Sequence, residues 1–143
     1  VLTLGKRIGD KKAKVQVCRI VRAFPEGAIE VDRGVKAALE LPDAGDRHVL
    51  AAAIQAKAAQ ISTDNIKHFP PVSVEPHDIE VVTADHLLAH TIALAPARAV
   101  ACLRQMRERL NRPSLTADEL LLKLESHNLP ETASELSEYA ALI

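Results

Sequence analysis

The sequence predicts an α/β chain: part of a small parallel sheet flanked by helices, followed by an all-helical C-terminal region. Three observations carry this reading. Short β-prone runs occur only before Thr83. Apolar residues recur at helical spacing between those runs. After Thr83 the pattern is helical to the end, with repeated helix-start signals. The expected division is therefore residues 1–82, an α/β part, and residues 83–143, a helical extension.

The elements follow in order. From Asp10 to Phe24, Val17, Ile20, Val21 and Phe24 fall at helical spacing, and Pro25 stops the helix. Ala28–Val31 is β-prone, and a mixed helix-or-loop stretch runs on to Leu41. Pro42 and Asp43 restart the chain as a helix reaching about Ala58. Ala59–Thr63 is a short strand closed by Asp64 and Asn65. Pro70, Pro71 and Pro76 break the next stretch, and Ile79–Val82 reads as another strand. Pro96 suits the first turn of a helix that closes at Asn111–Pro113. Thr116 and Glu119 form a capping box ahead of Leu120, Leu121, Leu122 and Leu124, and Pro130 starts the last helix. Three strand candidates are few for a doubly wound fold, so the chain reads as part of a sheet domain.

Composition narrows the function classes. With 48% apolar residues among 143, the chain can bury a core. Phe24, Phe69 and Tyr139 are the only aromatics, which argues against base-stacking platforms. A formal net charge of -1 gives no global basic signature of nucleic-acid binding. Cys18 and Cys102 stand apart, with no metal-ligand spacing, and read as reduced, packed thiols of a cytoplasmic protein. No run approaches the roughly 20 apolar residues of a membrane span, and no membrane association is expected.

The stretch LPDAGDRHVLAAA concentrates acidic residues ahead of a helix. Asp46, Val49, Leu50 and Ala53 lie at i, i+3, i+4 and i+7, so Asp46 falls on the core-facing stripe at its N-terminal end. Asp43, three residues earlier, reads as a helix cap or as a ligand, with the cap favoured by residue preference. Asp64 follows a strand, at the sheet edge where α/β folds bind ligands; alone, Asp64–Asn65 is also an ordinary turn. Carboxylates converging there need a cation between them, and hard oxygens select Mg²⁺ or Mn²⁺. Such a centre suits phosphodiester hydrolysis.

The segment LPDAGDRHVLAAAIQAKAAQISTDNIKHFP resembles the second half of a PIN domain, the metal-dependent ribonuclease fold of VapC-type toxins. An acid opening an Ala-rich helix (Asp46, Ala51 to Ala53), a short strand (Ile61), Thr63-Asp64-Asn65 and Phe69-Pro70 carry the resemblance. The final helices, with RNRPSLTADELLLKLESHNLP, resemble the helical extension of one branch of these toxins. The resemblance implies a PIN-like parallel sheet and Mg²⁺- or Mn²⁺-dependent cleavage of structured RNA of the tRNA or rRNA class. It also implies a blocking antitoxin as partner. By that resemblance Asp46 and Asp64 are the catalytic, metal-binding acids, with Asp43, Asn65 and Thr63 in support. The family's first strand with its Asp, and the Glu of a following helix, would lie upstream of Val1. The chain is thus expected to be weak or inactive alone, completed by an N-terminal PIN fragment or as a homo-oligomer. The alternative function is an inactive remnant serving as an antitoxin-binding or self-association module.

Other residues have plainer readings beside functional ones. Arg47 and His48 can meet substrate phosphate, or Arg47 can pair with Asp43. Arg98, Arg104, Arg107, Arg109 and Arg112, and the basic run from Lys6 to Arg22, are solvated faces or RNA contacts, the former favoured. His86 and His90 have the spacing of a zinc pair but no third ligand, so packing or surface roles are expected. Ala99, Leu103, Met106, Leu110 and Leu120–Leu124 are read as bundle packing.

Overall fold

The computed structural model describes residues 10–27, 29–110 and 113–143. They fall into two compact units, one ending at Ala58 and the other beginning at Ala59.

The first unit is helical. Helix α1 spans Asp10–Ala23, α2 spans Arg33–Ala38, and α3 spans Arg47–Ala56, entered through a 3-10 turn at Ala44–Asp46. Ala13 of α1 is fully buried, whereas Val15, Ile20, Val21 and Phe24 are exposed. Asp32 caps α2 by accepting the N–H groups of Gly34 and Val35 at 2.7 and 3.0 Å. Its own N–H donates to Gln55 Oε1 at 2.9 Å, which ties the start of α2 to α3. Helix α3 ends on Lys57 in the left-handed region, φ 51°. There Ala58 N–H donates to Ala53 O at 2.9 Å and Lys57 N–H to Ile54 O at 3.1 Å, the Schellman arrangement.

One strand expectation fails here. Residues 29–31 of the β-prone Ala28–Val31 run are irregular, and Ala28 lies outside the described residues. The run is wedged between the 3-10 turn at Pro25–Gly27 and the cap residue Asp32, so it serves as a connector. Lys6, Asn111 and Arg112 also lie outside the described residues.

The second unit opens with β1, Gln60–Ser62, which pairs in parallel with β2, Glu80–Val82. Gln60 faces Glu80, Ile61 faces Val81 and Ser62 faces Val82. The crossover carries a 3-10 turn at Ile66–His68, the short helix α4 at Pro71–Val74 and a second 3-10 turn at Glu75–His77. Prolines at 70, 71 and 76 keep this stretch from forming one longer helix, because each removes an N–H from the ladder. Two of the three expected strands are thus present, each shorter than its β-prone run.

Four helices follow: α5 Ala84–Leu94, α6 Pro96–Glu108, α7 Ala117–Ser126 and α8 Pro130–Ser137. Thr83 caps α5 by accepting His86 N–H at 3.1 Å. Pro96 and Pro130 occupy first-turn positions, where the missing N–H has no helical partner to lose. The capping box is formed in both directions: Glu119 N–H donates to Thr116 Oγ1 at 3.2 Å, and Thr116 N–H to Glu119 Oε2 at 2.8 Å. Ile92, Val100, Leu120, Leu136 and Ile143 make the core, with Ala99, Leu103, Leu121, Leu124 and Tyr139 packed against it. Met106, Leu110 and Leu122 depart from the packing expectation and are exposed. Cys18 and Cys102 are likewise exposed rather than packed. Among the described residues no single helix is long and apolar enough to cross a membrane.

Candidate functional site

The acidic start of α3 is built on a turn closed between Asp43 and Gly45. Asp43 Oδ1 accepts the Gly45 N–H at 2.7 Å and so caps the 3-10 turn. A Cβ placed on Gly45 would sit 2.9 Å from that same oxygen, so the carboxylate would have to shift to admit one. His48 Nδ1 meets Gly45 O at 2.6 Å and holds the turn from the helix side.

Asp46 ends the turn and opens α3 without a side-chain cap hydrogen bond to the helix. It is half-buried, as is Val49, while Leu50 and Ala53 are buried. The core-facing stripe inferred from spacing is therefore present, with a carboxylate at its N-terminal end, where the helix dipole favours negative charge. Asp43 is the cap, as residue preference suggested. Arg47 is half-buried, and its Nε is shut off from water with no hydrogen-bond partner among the described residues.

In the second unit, Thr63-Asp64-Asn65 follows β1 at its carboxyl end. Thr63 N–H donates to Val82 O at 2.9 Å, which carries the ladder one residue beyond the strand. Thr63 Oγ1 accepts Asn65 N–H at 3.1 Å, so the threonine closes a tight hydroxyl turn under Asp64. Asp64 and Asn65 are exposed. His68 N–H returns to Asn65 O at 2.9 Å, and the buried Phe69 pins the far end of the loop.

Sequence reasoning missed the most constrained carboxylate of the second unit. Asp85, on the first turn of α5, is only 7% exposed. Its Oδ2 accepts the Glu131 N–H at 2.9 Å, and its Oδ1 the Thr132 N–H at 2.8 Å. Thr132 Oγ1 donates back to Asp85 O at 3.2 Å. Burial pushes the Asp85 carboxyl up, but the N–H groups of Thr132 and Glu131, the Thr132 hydroxyl and His86 together hold it below the ordinary value. Asp85 therefore caps α8 from another helix. A sequence signal existed in TADH, but an acid in a first turn reads as local dipole compensation and does not name a distant partner.

The remaining candidates resolve structurally. His86 Nδ1 lies 3.2 Å from Glu131 Oε2, and the His86 and His90 rings are tilted with centroids 6.4 Å apart, an arrangement of surface contacts. Arg104 pairs with Glu108 at 3.0 Å, and Arg107 donates to Leu115 O at 3.0 Å. Those two arginines are thus engaged within the helical module.

Helices α5 to α8 have known counterparts. Residues 84–138 match the family described as the VapC50 C-terminal domain. The match begins at the first residue of α5 and ends just beyond α8, so the family unit is the module that Asp85 closes. The chain is similar to the C-terminal part of a VapC-type toxin. In particular, it is 33% identical over 90 residues to a Mycobacterium tuberculosis protein named "Putative ribonuclease VapC50". That similarity covers 63% of this chain and 53% of the relative, so the chain spans about half the length of the curated relative it matches. No solved structure matches.

Proposed function

We propose that the chain is part of a metal-dependent PIN-type endoribonuclease, the toxin of a toxin–antitoxin system, with Asp46 and Asp64 as two of its metal ligands. The observation that carries this reading is a VapC50-type helical module in a chain with two suitably sited acids. Asp46 is half-buried at the start of α3, and Asp64 is exposed just past the carboxyl end of β1.

The donor set fits Mg²⁺ or Mn²⁺. Both segments offer carboxylate oxygens, Asp64 has hydroxyl and amide neighbours in Thr63 and Asn65, and neither segment offers a thiolate. When bound, such a cation supplies an activated water and stabilises the leaving oxygen of a phosphodiester. Asp43 and Gly45 fix the turn that presents Asp46, and Thr63 fixes the loop that presents Asp64. Arg47, next to Asp46, supplies a guanidinium charge for a phosphate oxygen. Asn65, beside Asp64, is a supporting neighbour in the same proposal. The acids that complete the centre, a structured RNA substrate of the tRNA or rRNA class, a blocking antitoxin and a cytoplasmic setting belong to the same proposal.

The test is RNA cleavage by the 143-residue chain in Mn²⁺, beside Asp46→Asn and Asp64→Asn. Cleavage lost in both variants supports the reading. Cleavage unchanged in both overturns the assignment of the acids. A wild-type chain that neither cleaves RNA nor binds Mn²⁺ points instead to an interaction module.

A further inference from the structure

Strand β2 pairs with β1 along one edge, and among the described residues no strand pairs with the other. In a ladder, successive residues turn their backbone groups to opposite sides. Glu80 N–H donates to Ala59 O at 2.9 Å, and Val82 O accepts Thr63 N–H at 2.9 Å. Val81, between them, therefore directs its N–H and C=O away from β1.

A cavity of about 870 Å³ lies along that side, with Ile66, Phe69, Pro70, Val74, Ile79 and Val81 among its walls. The lining places it at the edge rather than over a face of the sheet. Ile79, Glu80 and Val81 all contribute, and no residue of β1 does. A cavity over a face would take alternate residues from both strands. Phe69, Val74 and Ile79 are buried and form an apolar floor. Glu75, Asp78 and Glu80 stand exposed around it against one cation, Lys67.

Exposed edges are commonly guarded by a charged side chain. Glu80 is the natural guard here, but its Oε2 accepts Gln60 Nε2 at 2.6 Å, so the carboxylate is turned toward β1. The outer edge is left with directed backbone groups, an apolar cavity and an acidic rim.

We propose that this edge docks an extended segment of a partner protein with alternating apolar and basic side chains, added to β2 as a further strand. Backbone bonds to Val81 give the attachment. Apolar side chains enter the cavity, and basic ones meet Glu75 and Asp78. The inference concerns a surface separate from Asp46 and Asp64 and stands independently of the metal centre.

The experiment titrates the full chain into a labelled peptide of alternating valine and lysine, read by fluorescence anisotropy and amide NMR shifts. Saturable binding is expected, with the largest shifts from Ile79 to Val82. A valine–glutamate peptide, and the basic peptide N-methylated along one edge, should bind at least about tenfold more weakly, or about 1.4 kcal/mol. Glu75→Gln with Asp78→Asn should weaken binding by a similar factor without disturbing the fold, since asparagine tolerates the φ of 56° at position 78. Three results would overturn the proposal: equal binding of the acidic peptide, indifference to N-methylation, or β2 edges paired between two copies in solution.

Discussion

The carboxylate of Asp85 accepts the backbone N–H of Thr132 at 2.8 Å across 47 residues of sequence. With the companion bond to Glu131, it satisfies two N–H groups of the first turn of α8, which otherwise have no acceptor inside the helix. Leu129, at the cap position of α8, makes no side-chain cap hydrogen bond of its own. The first helix of the VapC50-type module thus closes the last.

Asp85→Ala is expected to destabilise the chain by about 2–4 kcal/mol, since it removes two charge-assisted bonds and strands their donors in a buried place. Asp85→Asn, which keeps the shape and one acceptor oxygen, should lose about half of that. Thermal and urea denaturation check both, with loss of α5–α8 protection in hydrogen exchange as the local readout.

The same bond sets a pH dependence. Asp85 is held below the ordinary carboxylate value in the folded chain, so the folded state binds fewer protons than the unfolded state as the group titrates. Its stabilisation is complete above the unfolded value and declines as pH falls through the lower folded one. Stability measured from neutral to strongly acid pH should fall less steeply in Asp85→Asn than in the wild type over that window.

Gly45→Ala is a test of the acidic turn. Its Cβ would meet Asp43 Oδ1 at 2.9 Å, so that oxygen must shift and the cap bond to the residue 45 N–H weakens. A loss of up to about 1 kcal/mol, the cost of deleting an N-cap, is expected. Asp43→Ala should then add little further cost in the Gly45→Ala background, which a double-mutant cycle reads directly.

Lys57→Gly should stabilise the chain by about 0.5–1 kcal/mol. Lys57 ends α3 in the left-handed region, where a Cβ is strained and glycine is not. Calorimetry is sufficient to see the gain.

Much of this architecture was legible in the residues because its signals are local. The capping box at Thr116 and Glu119, the first-turn prolines 96 and 130, and the two paired strands all announce themselves within a few residues. The stripe ending at Asp46 and the turn closed by Thr63 were readable for the same reason. What failed was whatever depends on a neighbour. Ala28–Val31 has strand propensity, but its described residues, 29–31, are irregular and have no ladder partner. Met106 and Leu110 continue an apolar stripe past the point where the core ends. Asp85 is the extreme case, since its partner's N–H groups carry no side-chain signature at all.

The central proposal is that Asp46 and Asp64 are metal ligands. Mn²⁺ titration followed by electron paramagnetic resonance, on the wild type, Asp46→Asn and Asp64→Asn, tests it most directly. Mn²⁺ binding is expected in the wild type, weakened at least about tenfold by either substitution. Wild-type Mn²⁺ affinity retained in either single variant would contradict it.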